Sequence, residues 1–216
     1  MMMSMDLNNP LFLMGVVAFA SLIPIVVLTC TCYLKIVIIL ILTRNAMGVQ
    51  QVPPNMALYA IGLIATLFIM APTLEKMYNY TDGFTENERV TEEGLKLFIS
   101  PLRLFMQKNT DLDVISQVIS SSKKIWPAEY TDKMDRDNLI ILVPSFMMSE
   151  LQRAFKVGFL IFLPFLVIDL IVSAVLLALG MQMVSPMTVS LPLKILLFIM
   201  VDGWAALLDA IFNSYH

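Results

Sequence analysis

Histidine is almost absent from this chain of 216 residues, which has only His216, at the last position. One histidine excludes a two-histidine metal site and leaves no internal histidine to serve as a general base. Cysteine is nearly as scarce. Cys30 and Cys32 are two residues apart in an apolar stretch, where a helix would point them about 200° apart. We therefore expect no disulfide between them and interpret both as small packing residues.

Charge is also scarce. Charged residues make up 14% of the sequence, against about 25% in soluble domains, and hydrophobic residues make up 58%. This balance predicts an all-α, polytopic membrane-type chain built of helical hairpins. The net charge of −3 is too small to indicate nucleic-acid binding. We expect no cofactor, no metal and no nucleic-acid partner.

The charges that are present divide the chain into three parts. Most of them lie in the polar middle, residues 75–138, for which the apolar spacing predicts two or three amphipathic helices and no catalytic constellation. Before it, residues 1–74 form a predicted apolar hairpin from the uncharged runs Leu11–Leu34 and Met56–Leu74. After it, residues 139–216 form a second apolar hairpin.

Basic residues in short loops predict the orientation of these segments. Lys35 and Arg44 near the first loop, and Lys194 near the last one, would lie on the cytoplasmic side. The polar middle would then face the periplasm, with both chain ends on the same outer side. This arrangement predicts four apolar segments. Pro24 is expected to kink the first of them.

The longest apolar stretch, Val157–Met187, organises the chain. Its 31 residues carry one charge, Asp169, and its first 24 residues would form about 36 Å of helix. Gly180 ends the pattern, and a methionine-rich turn with Met181, Met183 and Met187 follows it. We predict that these helices pack against copies of themselves and present the turn to a central pore.

Asp169 needs a partner, because an isolated acid at membrane depth costs roughly 2.5–3.5 kcal/mol. It could pair with a base on a neighbouring subunit, accept hydrogen bonds inside the assembly, or relay protons. Lys194 is its natural partner, and Glu150, Arg153 and Asp202 are weaker candidates for the same buried or intersubunit role. Glu150 and Arg153 have the i,i+3 spacing of an intrahelical pair. Lys194 and Asp202, eight residues apart, are expected on roughly one helix face.

Several strings of the sequence together resemble the FliP/SctR family of export-gate subunits. The first loop contributes Arg44-Asn45-Ala46, Gly48, Gln50-Gln51 and Pro53-Pro54-Asn55. The C-terminal part contributes Ser149-Glu150-Leu151, Ala154-Phe155, Gly158-Phe159, Leu163-Pro164-Phe165, Ile168-Asp169-Leu170, Ala178-Leu179-Gly180-Met181, Met183-Val184, Pro186, Leu191-Pro192, Lys194 and Asp202-Gly203-Trp204. The absence of an evident signal sequence favours the SctR, virulence-type branch.

The resemblance implies a function and a set of partners. About five copies of the chain would assemble into a helical ring with SctS/FliQ-type and SctT/FliR-type subunits, next to an SctU/FlhB-type switch protein. The ring would lie in the bacterial inner membrane, among its lipids, at the base of the secretion apparatus. Unfolded export substrates would pass through it. The resemblance also implies that Lys194 pairs between subunits.

The methionine turn would narrow the pore of such a ring. Family members often have three consecutive methionines at this place, and Gln182 replaces the middle one here. Thioether side chains are flexible and polarisable, so a ring of them can close against ions and reshape around varied chains. Because the chain has 17 methionines, ordinary packing remains the alternative interpretation of Met181, Met183 and Met187.

Two other classes of function compete with a non-enzymatic export pore. A small secondary transporter or proton channel would use Asp169 and Asp202 as proton-binding acids in broken helices. The two apolar hairpins, however, share no similarity beyond hydrophobicity. An intramembrane hydrolase would need a GxSxG or paired-aspartate motif, or a cysteine with a base, and the sequence has none of these.

Overall fold

A computed structural model describes residues 10–85, 92–131 and 135–215, and these residues are helical with no strand among them. The helices are α1 (Pro10–Cys30), α2 (Tyr33–Met47), α3 (Asn55–Thr85), α4 (Glu92–Lys108), α5 (Leu112–Ile125), α6 (Ala128–Thr131), α7 (Leu139–Ala178), α8 (Pro186–Met200) and α9 (Gly203–Asn213). The predicted all-α class is confirmed. His216 lies outside the described residues.

Helix α2 lies at the centre of the fold. Its sequence is apolar on every side, a pattern typical of a helix surrounded by others. Ile36, Ile39 and Leu40 are fully buried and pack with α3, α7 and α9. The contact with α7 is close enough that a Cβ atom on Gly158 would lie 2.3 Å from Leu42 Cδ1. Only glycine permits this approach of α2 to α7.

The first apolar run is bent after its midpoint. Helix α1 continues through Pro24, and the chain changes direction by 67° between α1 and α2, at Thr31 and Cys32. The Thr31 hydroxyl donates a hydrogen bond back to the Val27 carbonyl, 2.5 Å away, and so caps a backbone acceptor at the end of α1. The sequence did not predict this change of direction, and a kink at Pro24 stays a prediction.

Helix α7 joins two parts of the sequence into one element of 40 residues. Asn138 caps its start, where the side chain accepts a hydrogen bond from the Ile140 amide, and the helix passes through Pro144 and Pro164 without ending. At 1.5 Å per residue it is about 60 Å long, twice the roughly 30 Å hydrocarbon core of a bilayer. The helix therefore extends beyond any membrane that its apolar half crosses.

Large parts of the apolar helices are exposed in the single chain. Helices α3 and α7 are long and apolar enough to span a membrane. The bent pairs α1–α2 and α8–α9 bring the count among the described residues to four if each pair is one span. In the most apolar 18-residue stretch of α7, only 17% of the residues are buried. The chain is thus a membrane-embedded protein whose outer surface needs lipid or other subunits.

The polar middle is helical and amphipathic, as predicted. Helix α4 packs on α3 and α7, and α5 packs on α7, with Met106, Val114 and Ile115 buried at these contacts. Helices α4 and α5 are therefore packed on the apolar helices. The predicted boundary between residues 74 and 75 falls inside α3, which continues to Thr85.

Candidate pore loop and buried charge centres

The methionine turn is shaped by the end of α7. Gly180 has φ of 73°, the Gly180 amide donates to the Leu177 carbonyl, and the Met181 amide donates to the Leu176 carbonyl. This pair of bonds is a Schellman cap, which needs a residue in the left-handed region and favours glycine. The cap turns the chain sharply, and α8 begins three residues after Met183 with Pro186 in its first turn.

The loop presents its methionines to the outside of the single chain. The exposed fraction of Met183 is 100%, that of Met187 is 59% and that of Met181 is 45%. Flexible apolar side chains on a tight turn are costly to leave in water, and their area is available to another chain. The pore-lining role of the three residues stays a prediction.

Asp169 and Lys194 meet within one chain. The Lys194 ammonium lies 2.6 Å from Asp169 Oδ2, which joins the middle of α7 to α8. The lysine side chain is 7% exposed and the aspartate side chain 42% exposed, so the pair opens toward the surface on the α7 side. The structure therefore brings these two predicted residues together. An intersubunit pair of Lys194 remains a prediction.

The first loop lies against this ion pair. Gly48 ends α2 with φ of 76°, and a Cβ atom there would lie 4.0 Å from Lys194 Nζ and 3.5 Å from a Leu191 methyl group. Arg44 holds the loop by donating to the Pro53 carbonyl (3.2 Å) and to the Asn55 side chain (2.6 Å). The family-like strings of the loop and of α8 are thus neighbours in space.

A second charge centre surrounds Glu150, whose side chain is 1% exposed. Its carboxylate lies 3.9 Å from the Lys35 ammonium and 3.7 Å from the Arg153 guanidinium, and it accepts a hydrogen bond from the Tyr215 hydroxyl. Burial, reinforced by the charge of Glu150, raises the pKa of Tyr215, so this hydroxyl stays protonated and donates. The pair of Glu150 and Arg153 that the i,i+3 spacing predicted is therefore part of a larger cluster of charged and polar residues.

Lys35 completes this cluster from the start of α2. It is 3% exposed, donates to the Ser214 hydroxyl at 3.0 Å, and lies 4.0 Å from the centre of the Tyr215 ring. These contacts fasten the C-terminal end of the chain to α2 and α7. Removing the charge of Lys35 or of Glu150 would leave the other one buried without this partner. Breaking a buried ion pair in this way typically costs about 3–5 kcal/mol.

Arg153 links the same cluster to the polar middle. Its guanidinium forms an ion pair with Asp111, at the start of α5, and donates to the Asn109 carbonyl at 2.9 Å. The Asp111 amide in turn donates to the Ser149 hydroxyl at 3.1 Å. The connection between α4 and α5 is therefore held on α7 by polar contacts.

Sequence reasoning found only part of this cluster. Lys35 was predicted only to lie near the first loop on the cytoplasmic side, although a charge that interrupts an apolar run could have indicated a buried partner. Asp111, Ser214 and Tyr215 carried no signal, because each lies far along the chain from Glu150 in a polar or terminal stretch. Only the fold brings them together.

Asp202 lies apart from these centres. The expectation that it shares a helix face with Lys194 is wrong, because α8 ends at Met200 and Asp202 adopts a left-handed conformation with φ of 48°. The chain bends there by 58° into α9. Asp202 forms no ion pair with any described residue. Beside it, Trp204 packs edge-on against Phe198, with ring centres 5.2 Å apart.

The geometry offers no site for a metal ion within the described ranges. Across residues 10–85, 92–131 and 135–215, no three histidine, cysteine, aspartate or glutamate side chains are placed to hold one. The buried charged residues Lys35, Glu150 and Lys194 each lie within 4 Å of an opposite charge instead.

Comparison with known proteins agrees with the resemblance seen in the sequence. The model of the FliP family matches residues 16–211. The chain is 52% identical over 198 residues to the harpin secretion protein HrcR of Erwinia amylovora, covering 90% of this chain and 91% of that protein. It is 41% identical over 213 residues to the Yop proteins translocation protein R of Yersinia pestis, covering 97% and 98% of the two chains. It is 38% identical over 210 residues to the surface presentation of antigens protein SpaP of Shigella flexneri, covering 94% and 95%.

Proposed function

Because the chain belongs to the FliP family, we propose that it is a structural, pore-forming subunit of a type III secretion export gate. Relatives that match over nearly their whole length are described as secretion and translocation proteins. In this role the chain carries unfolded proteins across the bacterial inner membrane without catalysing a reaction. A further relative, 40% identical, is described as a virulence protein, which supports the SctR branch.

The observation that carries the proposal is the exposed methionine turn at the tip of the α7–α8 hairpin. Met183 is fully exposed on a turn whose backbone is closed by the cap at Gly180. Repeated around a ring, this turn would place several flexible thioether groups at one level of a pore. Such a constriction excludes water and ions at rest and deforms when a polypeptide enters.

The exposed apolar faces support assembly with other subunits. Along the second half of α7, Leu170 is 61% exposed and Leu177 is 69% exposed, and on α8 Leu196 is 55% exposed. We propose that other copies of the chain, and SctS/FliQ-type and SctT/FliR-type subunits, cover part of this area. An SctU/FlhB-type protein would contact the finished ring.

The transporter alternative gains no support from the acids on which it depends. Asp169 Oδ2 lies 2.6 Å from the Lys194 ammonium and is therefore already paired. Asp202 lies at the exposed bend between α8 and α9. The ion pair with Lys194 gives Asp169 a structural role that needs no proton transfer.

The proposal is tested by conductance of the purified gate complex in planar bilayers. We expect replacement of both Met181 and Met183 by alanine to leave assembly intact and to raise the resting ion leak at least several-fold, because the thioether volume is lost from the constriction. The matched control is the replacement of Met14 and Met56, two other exposed methionines, by alanine. An unchanged leak in the Met181/Met183 variant contradicts the sealing role.

A further inference from the structure

A basic cavity lies beside the first half of α7, where the end of α4 and the start of α2 meet it. Its volume is about 350 Å³, and every residue that lines it is polar except Val157. The lining contains four cations and no acid: Lys35, Lys108, Arg153 and Lys156. A cavity lined by charges of one sign attracts a group of the opposite sign.

Two of these cations already have acidic partners in the same chain. Lys35 and Arg153 belong to the charge centre around Glu150. Lys108 and Lys156 are exposed and form no ion pair with any residue that the structure describes. These two ammonium groups therefore remain available to an anionic group from outside the chain.

Asp209 on α9 is an exposed acid that lacks a cationic partner. It lies two residues from both Leu207 and Ile211, whose side chains are at most 8% exposed in the core, so it points to the opposite side of the helix. Its carboxylate accepts a hydrogen bond from the Asn213 side chain at 3.1 Å and forms no ion pair within the described part of the chain. Asp209 therefore presents a charge that another chain can neutralise.

Lys156 and Asp209 stand at nearly the same height along α2. Helix α7 runs parallel to α2, and Lys156 lies six residues, or about 9 Å, beyond the point where Glu150 meets Lys35. Helix α9 runs in the opposite direction and ends near Lys35, which donates to the Ser214 hydroxyl. Asp209 lies five residues, or about 8 Å, before that point. An apolar cavity lined by residues of both α7 and α9 separates the two helices here.

Copies arranged in a ring would bring these two charges together. Each interface of such a ring joins two different patches of the same chain. Rotation about an axis parallel to α2 leaves the height of a residue unchanged, so it can place Asp209 of one copy opposite Lys156 of the next. Every copy then supplies one acid and one basic cavity, and each interface between copies pairs them.

We propose that the Asp209 carboxylate of one copy binds between Lys108 and Lys156, at the mouth of the basic cavity of the next copy. This inference rests on the ring of copies in the proposed function, and it names the surface through which neighbouring copies recognise each other. A charge pair at the rim of an interface fixes the direction and register of assembly more than it adds affinity, because water reaches both groups.

The first test reverses the charges and measures the yield of assembled ring in the purified complex by native mass spectrometry. K156E and D209K each place like charges across the interface, and we expect each to lower the yield about tenfold or more. The double variant K156E/D209K restores opposite charges and should recover most of the loss. The matched control is K123E, at an exposed lysine of α5 outside the cavity, which should assemble as wild type.

The second test links the two positions covalently. Chains that carry K156C and chains that carry D209C, with different tags, are co-expressed, and the purified complex is treated with a bifunctional maleimide. We expect a covalent dimer that contains both tags, and none between two K156C chains. Wild type is the control, because Cys30 and Cys32 are only 9% and 0% exposed.

Three results would overturn the inference. The first is a ring that forms at wild-type yield with K156E and with D209K, or a K156E defect that D209K does not restore; either leaves the export-gate proposal intact. The second is a cross-link from K156C to a different kind of subunit in place of D209C, which would identify another partner. The third is a purified wild-type complex with a single copy of the chain, which would contradict the proposed function as well.

Discussion

The two halves of α7 differ in charge and in environment. The first, residues 139–158, carries Glu150, Arg153 and Lys156, whereas the second, residues 159–178, carries only Asp169. In the first half, Ile141, Phe146 and Ala154 are at most 1% exposed and pack in the core of the chain. In the second half, Leu170 and Leu177 are more than 60% exposed. One continuous helix thus belongs to a folded core at one end and to an unpartnered surface at the other.

The difference separates what the chain stabilises alone from what it leaves to an assembly. The first half is held by α2 and by the charges around Glu150, all from the same chain. Each large apolar side chain left in water forfeits about 1.5–3 kcal/mol of burial. The second half must therefore be covered by lipid or by other subunits.

The largest expected loss of stability comes from a substitution in the first half of α7, which is packed in the core. Replacing Glu150 by alanine leaves Lys35 buried at 3% exposure without its carboxylate, and we expect a loss of about 3–5 kcal/mol in the free energy of unfolding. Thermal unfolding of the purified protein in detergent measures it. The matched control is Glu129→Ala, at an exposed glutamate on α6. Equal melting temperatures for the two variants would contradict the structural role of the cluster.

A smaller effect is expected where α2 crosses α7. The Cβ atom of Gly158→Ala would lie 2.3 Å from a Leu42 methyl group, so the helices must separate at a cost of roughly 1–3 kcal/mol. The same melting experiment measures the loss. Adding Leu42→Ala removes the clashing atoms and should recover part of it. A double variant less stable than the sum of the two single changes would rule out this contact as the cause.

The smallest of the three losses of stability is expected from a substitution in the second half of α7, whose apolar side chains are exposed. Asp169→Ala leaves Lys194 without its carboxylate, but the aspartate side chain is 42% exposed and water reaches the site, so we expect about 1–2 kcal/mol. The yield of the assembled complex should fall. Asp113→Ala, at an exposed acid on α5 with no ion pair among the described residues, is the control.

The double variant D169A/K194A sharpens this prediction, because it removes both charges together and should restore much of the yield. Normal assembly of Asp169→Ala with loss of export would favour a proton-relay role for Asp169 over a structural one.

The candidate sites were predictable to different degrees. The partnership of Asp169 with Lys194 follows from the rarity of charge in apolar runs, since each such charge requires an opposite one. The Glu150 cluster was predicted only as its local i,i+3 pair with Arg153. Tyr215 and Asp111 join it through contacts spanning 65 and 42 residues of sequence, which no local pattern reports.

The sequence by itself determined the helical class, the membrane character and the turn at Gly180, because composition, periodicity and backbone preference act over short distances. It did not predict the 67° change of direction at Thr31 and Cys32, between α1 and α2. The tertiary structure alone decided that the half of α7 with more charged residues packs in the core of the chain, because Lys35 of α2 and Tyr215 meet Glu150 there. No local pattern reports these contacts, since they join residues far apart in the sequence.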